Sequence, residues 1–179
     1  MNIVTYVNRL VAGPKRVSNS KLAGLAPAKR DIKTMIRHYH PTSDDDAIVD
    51  IYLAASRQAH SFLSEEFWAK EAINVREIYL PNAETYVATQ DDIVTGFIAL
   101  LGTEVGGFFV NPECQSTGQG RALLAHALSK HPVLELDVFK DNPIGRRFYA
   151  RFGFEELGER FDDYTQQQVI RLRYDSTTL

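Results

Sequence analysis

The run from Phe108 to Leu124 limits what this chain can fold into more than any other, because its character changes twice within it. Phe108-Phe109-Val110 is bulky and apolar, suited to a buried strand. Pro112 cannot donate to a sheet ladder and ends that strand. Gln115 to Gly120 is polar and carries two glycines. Ala122, Leu123, Leu124, Ala127 and Leu128 then recur at helical spacing. Strand, loop, helix is the implied order. A helix start leaves about four N–H groups unpaired, with a partial positive charge of roughly one half. Gly118 and Gly120 lack a Cβ, so a bulky anion can approach those donors. The local expectation is a cradle for a phosphate or pyrophosphate.

Two familiar phosphate loops do not fit. The nucleoside-triphosphate loop needs Gly-x4-Gly-Lys-Ser/Thr, and no such string occurs. The dinucleotide fingerprint needs Gly-x-Gly-x-x-Gly with an acid about 20 residues on. Here the order is Gln115-x-x-Gly118-x-Gly120, after a strand that ends near Pro112. That pattern resembles the coenzyme A loop of the GNAT superfamily of acetyltransferases. A glycine-rich helix start with no ligand is the alternative that this loop alone leaves open.

The 179 residues suit one domain with a full core. No run of about 18 apolar residues occurs, so no membrane span or membrane partner is expected. The single cysteine, Cys114, has no partner for an internal disulfide, which fits a reducing, cytoplasmic setting. Cys114 is read as a bystander thiol, since no His or acid pattern points at it. Charge is uneven. Residues 1–34 hold seven Lys/Arg and one acid, a net of +6; the whole chain is −3, so residues 35–179 carry −9. An acidic body argues against nucleic-acid partners, which need phosphate neutralisation by Lys and Arg. It suits a cationic substrate such as an amine.

Residues 1–34 form a basic extension, expected to be weakly ordered, with Met35 as a natural start and a transit peptide as the rival reading. Ile3, Val4, Val7, Leu10 and Val11 suggest a short amphipathic turn. From residue 35 to 179 the pattern is one acetyltransferase-sized domain. Residues 35–40 read as a strand stopped by Pro41, with Thr42, Ser43 and Asp44 offering N-cap oxygens to a helix that runs to about Gln58. Ser64 caps a second helix reaching Leu80. Glu84–Thr89, Ile93–Leu101 and Glu104–Val110 form a meander, turning at Asp91-Asp92 and at Gly102-Thr103. Gly106-Gly107 predicts a bulge or a close backbone approach. A helix over 118–130, a strand over Val133–Val138, a helix over Pro143–Phe152 closed by Gly153, and strands Phe154–Phe161 and Val169–Tyr174 complete the chain. The fold class is α/β. It is a mixed, mostly antiparallel sheet of about seven strands with helices on both faces, ordered strand, two helices, three strands, helix, strand, helix, two strands.

A second motif follows the strand Leu134-Glu135-Leu136-Asp137-Val138. Asn142, Gly145, Phe148-Tyr149 and Gly153-Phe154 stand at the offsets at which GNAT acetyltransferases carry Asn, a small residue, Phe-Tyr and Gly-Phe. Gly145 stands where the family usually has Ala. The two motifs together extend the resemblance over about residues 35–174. His60-Ser61-Phe62-Leu63 with Phe67-Trp68 is similar to small bacterial members of unassigned or protein-lysine specificity.

The resemblance implies acetyl-CoA as co-substrate and no metal. Phe108, Phe109 and Val110 match the splayed strand whose peptide groups bind the pantetheine arm. Gln115, Ser116, Thr117, Gly118, Gln119 and Gly120 match the pyrophosphate loop, with Arg121 beside it. Asn142 matches an Asn that hydrogen-bonds the cofactor arm, and Tyr149 the Tyr that serves as general acid at the thioester sulfur. Glu104 matches the base of histone-type members; His60 is the second candidate base, and His60 and Phe62 border the acceptor. Each has a bland alternative. Tyr149 would be a core aromatic, Asn142 an N-cap, Glu104 an exposed strand-end acid and His60 a structural histidine.

The chemistry needs such groups. A lysine-type amine at pH 7 is about 4.6 kcal/mol from its neutral form, so a base or water chain must take its proton. The oxyanion needs a donor, and a strand N–H near Phe108 to Val110 would serve. The expected activity is therefore direct transfer of acetyl to a primary amine, on a small molecule, a protein lysine or an N-terminus, by a monomer or homodimer. The rivals are a non-catalytic acyl-CoA-binding module and an acetyltransferase toxin acting on aminoacyl-tRNA.

Overall fold

The computed structural model describes residues 6–7, 34–59, 64–163 and 166–177. Its strands are β1 (Tyr6–Val7), β2 (Met35–His38), β3 (Glu84–Gln90), β4 (Ile93–Leu101), β5 (Glu104–Val110), β6 (Val133–Phe139), β7 (Glu155–Asp162) and β8 (Gln167–Asp175). The helices are α1 (Asp45–Ala59), α2 (Glu65–Asn74), α3 (Leu80–Asn82), α4 (Gln119–Lys130) and α5 (Pro143–Ala150). One mixed sheet runs β2-β3-β4-β5-β6-β8-β7, antiparallel except where β5 meets β6. β1 lies parallel to β5, pairing Tyr6 with Gly107 and Val7 with Phe108. Val7 is thus in a strand and not in the amphipathic turn expected for it. The expectation of weak order over 1–34 otherwise falls outside the described residues.

Alternation along the strands sends successive side chains to two cores. Ile98, Val105, Phe108, Leu134, Leu136, Val138, Tyr149 and Ile170 pack with α4 and α5 on one face. Val87, Phe97 and Phe109 pack with Ile48, Tyr52 and Trp68 of α1 and α2 on the other. The β3–β4 turn places Asp91 at φ 49° and Asp92 at φ 65°, the doubly left-handed form that matches strand twist in a two-residue hairpin. The Gly106-Gly107 expectation holds as a bulge, because the β4–β5 register slips between Ala99 and Leu100.

Caps follow side-chain chemistry. Ser64 Oγ accepts from the Phe67 N–H at 3.2 Å, so the second helix starts where Ser and two acids put it. That helix does not reach Leu80 unbroken: Val75–Tyr79 widens into a π turn, which turns Val75 and Tyr79 toward the sheet. Asp44 precedes α1 but is spent on β2. Its carboxylate accepts from Arg37 Nη1 at 2.6 Å and Nη2 at 2.9 Å, and from the His40 N–H at 2.8 Å.

Candidate active site

β5 leads directly into the loop. The Asn111 side chain accepts from the Glu113 N–H at 3.0 Å and starts a short 3-10 turn, Pro112–Cys114. Ser116 at φ 62° and Gly118 at φ 95° are left-handed, and such residues turn successive N–H groups toward one concavity. Gly118 is needed for that conformation, whereas a Cβ on Gly120 would only touch Phe108 at an ordinary 3.5 Å. Among the described residues, no group accepts from the N–H of Ser116, Thr117, Gly118, Gln119 or Gly120. The row of donors expected at the start of α4 is therefore present and open.

Side chains in the loop divide into braces and unused donors. Gln115 Nε2 donates to the Val110 carbonyl at 3.3 Å, so this side chain ties the loop to β5 rather than facing a ligand. Thr117 Oγ1 donates to the Cys114 carbonyl at 2.6 Å. Arg121 is exposed on the first turn of α4. Gln119 is buried; its side-chain amide touches the Cys114 thiol, and neither its Oε1 nor its Nε2 has a nitrogen or oxygen partner among the described residues. Burial pushes the Cys114 thiol up, with Gln119 opposing, which keeps it protonated and supports its reading as a bystander.

Asn142 is both cap and donor. Its Oδ1 accepts from the Gly145 N–H at 2.9 Å at the start of α5, and its buried Nδ2 has no described partner. A Cβ on Gly145 would come within 2.6 Å of that Nδ2, so glycine gives the amide its room. Tyr149 is fully buried against Phe148 and Phe154, with ring centroids 5.3 and 5.4 Å away, and its hydroxyl is also unpartnered. Burial raises its pKa far above the usual phenol value, so it remains a neutral donor. Buried polar atoms normally find partners. Gln119, Asn142 and Tyr149, all on the α4–α5 side, have no nitrogen or oxygen partner for theirs among the described residues. Open N–H groups with orphaned amide and hydroxyl donors fit an anionic, amide-bearing ligand such as a coenzyme A arm.

β6 meets β5 at a single pair, Glu104 with Glu135. Past it the two strands lose register, and β1 takes the β5 edge at Gly107 and Phe108. The edge expected to take a ligand arm is thus held by the chain's own backbone. Phe108 and Val110 point to the α4 face, and Phe109 to the α1 face. On that second face an open apolar cavity, about 480 Å³ of empty space including its mouth, lies between Tyr52, Tyr79, Phe97, Gly106, Gly107 and Phe109.

The Glu104 carboxylate is not exposed and idle. Its Oε1 accepts from Arg171 Nη1 at 2.8 Å and its Oε2 from Nη2, and Arg171, raised above its usual pKa chiefly by Glu104, also donates to Glu135 at 2.6 Å. A base at Glu104 would have to leave this bidentate pair. His60 and Phe62 lie outside the described residues. Strand alternation turns Glu135 and Asp137 away from Leu134, Leu136 and Val138, and Asp137 Oδ2 accepts from Arg160 Nη2 at 2.6 Å. Among the described residues, no three His, Cys, Asp or Glu side chains gather as a metal site, and no helix is long and apolar enough to cross a membrane.

Residues 41–165 match the model of the acetyltransferase (GNAT) domain. The peptidyl-lysine N-acetyltransferase YiaC of Escherichia coli is 30% identical over 125 residues, 69% of this chain and 86% of YiaC. The peptidyl-lysine N-acetyltransferase YjaB of the same organism is 33% identical over 116 residues, 64% of this chain and 78% of YjaB. The solution structure of apo YjaB superposes with a TM-score of 0.65 at 30% identity, covering 79% of this chain and 97% of that one. The PaiA N-acetyltransferase of Thermoplasma acidophilum, solved with coenzyme A, shares the fold at TM-score 0.60 and 17% identity, covering 79% of this chain and 99% of that one.

Proposed function

The chain belongs to the GNAT acetyltransferase family and is an acetyl-CoA-dependent N-acetyltransferase acting on a primary amine; we propose that this amine is the ε-amino group of a protein lysine. What carries the proposal is the likeness to YiaC and YjaB, both peptidyl-lysine N-acetyltransferases, over most of their length. The acidic body, −9 over residues 35–179, favours the approach of a cationic side chain. A reducing cytoplasm suits the lone Cys114 thiol.

In this reading the N–H groups of Ser116 to Gly120 hold the pyrophosphate and Arg121 screens it. Asn142 Nδ2 and Gln119 donate to or accept from the arm. Acetyl-CoA supplies the activated acyl group, and the amine attacks it directly. A backbone N–H of β5 near Phe108, once β1 has left that edge, steadies the developing oxyanion. The Tyr149 hydroxyl, kept neutral by burial, donates to the departing sulfur.

The test is incubation of the full chain with acetyl-CoA and lysine peptides whose N-termini are blocked, read by mass spectrometry. Acetyl groups on lysine are expected. Acetylation only of free α-amines, or of small amines alone, would overturn the lysine assignment.

A further inference from the structure

An acetyl group ends in a single methyl, which leaves the apolar cavity on the α1 face of the sheet unfilled. That cavity starts beside the reaction strand. Gly106 and Gly107 form part of its wall. Phe108, near which a backbone N–H would steady the oxyanion, is the next residue of β5. A strand advances about 3.3 Å per residue, so the cavity begins within one residue of a thioester carbonyl held there. Tyr149 lies in the opposite core. With sulfur turned toward Tyr149, the alkyl end of the acyl group can turn toward the cavity.

The lining decides what the cavity can hold. Leu80 contributes alkyl surface, and Tyr52, Phe97 and Phe109 contribute rings. No described residue of the lining is charged. The Tyr52 hydroxyl donates to Glu71 Oε2 at 3.2 Å, so its polar end already has a partner. An ammonium group would lose its hydration here and find no counter-charge. An uncharged alkyl chain gains about fourfold in affinity for each methylene buried. Two features keep the space open. A Cβ on Gly107 would stand 3.4 Å from the Phe109 ring and 3.5 Å from the Phe97 ring, so glycine leaves that volume empty. The π turn brings Val75 and Tyr79 to the cavity as a second wall.

We infer that this cavity is an acyl subsite, and that the chain transfers propionyl and butyryl groups from their coenzyme A thioesters at least as well as acetyl. The inference rests on the reading that this chain acetylates primary amines, and on β1 leaving the β5 edge, where Tyr6 pairs with Gly107. The bonds exchanged are the same for each donor. The ammonium first loses one proton to solvent. The nitrogen lone pair forms the C–N bond to the acyl carbonyl carbon, and the C–S bond breaks with its electron pair going to sulfur. Sulfur takes the Tyr149 proton, the surplus proton on nitrogen goes to solvent, and solvent restores the phenol. The products are the longer amide and the free thiol of coenzyme A. The alkyl tail is buried equally before and during the reaction, so it should tighten binding without changing kcat.

The test uses the full chain, acetyl-, propionyl- and butyryl-CoA, and a lysine peptide with a blocked N-terminus or whichever amine the chain acetylates. The thioester Kd should fall about fourfold for each added methylene, with kcat within about threefold across the series. Ala99 stands opposite Gly107 on β4 and lines the cavity. Ala99→Val fills that floor and should reverse the order: acetyl-CoA should bind within about twofold of wild type, and butyryl-CoA about tenfold more weakly. Leu101→Ala enlarges the cavity and should move the tightest donor from butyryl- toward hexanoyl-CoA. It also carries the test should the Val variant not fold. A wild-type Kd for butyryl-CoA no tighter than that for acetyl-CoA would overturn the inference. So would an Ala99→Val deficit equal for all three thioesters, or one that follows the acceptor instead, which would give the cavity to an acceptor side chain. A chain that transfers acetyl and no longer acyl group would sink the inference alone. A chain that transfers no acyl group to any amine would overturn the N-acetyltransfer reading as well.

Discussion

The Tyr149 side chain is fully buried, and its hydroxyl has no described partner. An aromatic ring alone would fill that space, so the oxygen has no packing reason to be there. Tyr149→Phe is expected to fold at least as well as wild type, gaining about 0–2 kcal/mol because it removes an unsatisfied buried group. Its kcat should fall about a hundredfold, with the acetyl-CoA Kd unchanged. Thermal melts, calorimetry and turnover on one preparation check all three. A fall in stability with kcat intact would return Tyr149 to the core-aromatic reading. Gln119 follows the same logic. Gln119→Met keeps the volume and drops both orphaned polar atoms, so the ligand-free protein should melt higher. Acetyl-CoA binding should weaken by up to about tenfold, the worth of one good hydrogen bond.

Elements show where sequence reading stops. The strand–loop–helix around Gln115 to Gly120 was legible because Pro112, Gly118 and the apolar spacing of α4 are local signals. The π turn at Val75–Tyr79 was not, since nothing in that stretch breaks helical spacing and only packing decides it. The Glu104–Arg171 pair joins residues 67 apart, and no local pattern announces it. The Asp44–Arg37 pair likewise links β2 to α1 across Pro41, where N-cap chemistry alone was expected. Arg37 holds the Asp44 carboxyl below its usual range, with burial opposing. A folded-state pKa below the unfolded one gives stability that is present above the unfolded value, about 3.9, and lost as pH falls through the folded value. Asp44→Asn should therefore cost about 2–3 kcal/mol at pH 7 and much less in acid. Denaturant melts at neutral and acid pH compare the two. β1 makes a sharper element-level claim. It occupies the β5 edge that a cofactor arm would need, so the apparent Kd is the intrinsic Kd divided by the fraction of time that edge is free. Val7→Pro removes a strand N–H and should tighten acetyl-CoA binding by up to about tenfold if β1 is paired roughly nine-tenths of the time. Unchanged or weaker binding would make β1 a fixed part of the sheet.

On the scale of the whole molecule, charge is the feature that no single residue or element reveals. The +6 of residues 1–34 and the −9 of the remainder differ enough to act on diffusing partners. Much of the acidic charge near β5 and β6 is locally matched: Glu104, Glu135 and Asp137 face Arg160, Arg171 and Arg173. Attraction of a cationic peptide must therefore come from the summed field of the body rather than from a bare acidic pocket. Such a field is screened over about 10 Å at 0.1 M salt and about 3 Å at 1 M. Contacts made after docking, in a partly buried site, are screened far less. Raising salt from about 0.05 to 0.5 M should thus lower kcat/KM for a lysine peptide several-fold through slower encounter, while kcat at saturation stays nearly level. A neutral-pH series with peptides of rising net positive charge should steepen the salt dependence. If a lysine flanked by acids is acetylated as fast as one flanked by arginines at low salt, the acidic body does not choose the acceptor. Selectivity would then have to arise in the cavity between Tyr52, Tyr79 and Phe109, where shape and apolar contact would set it instead.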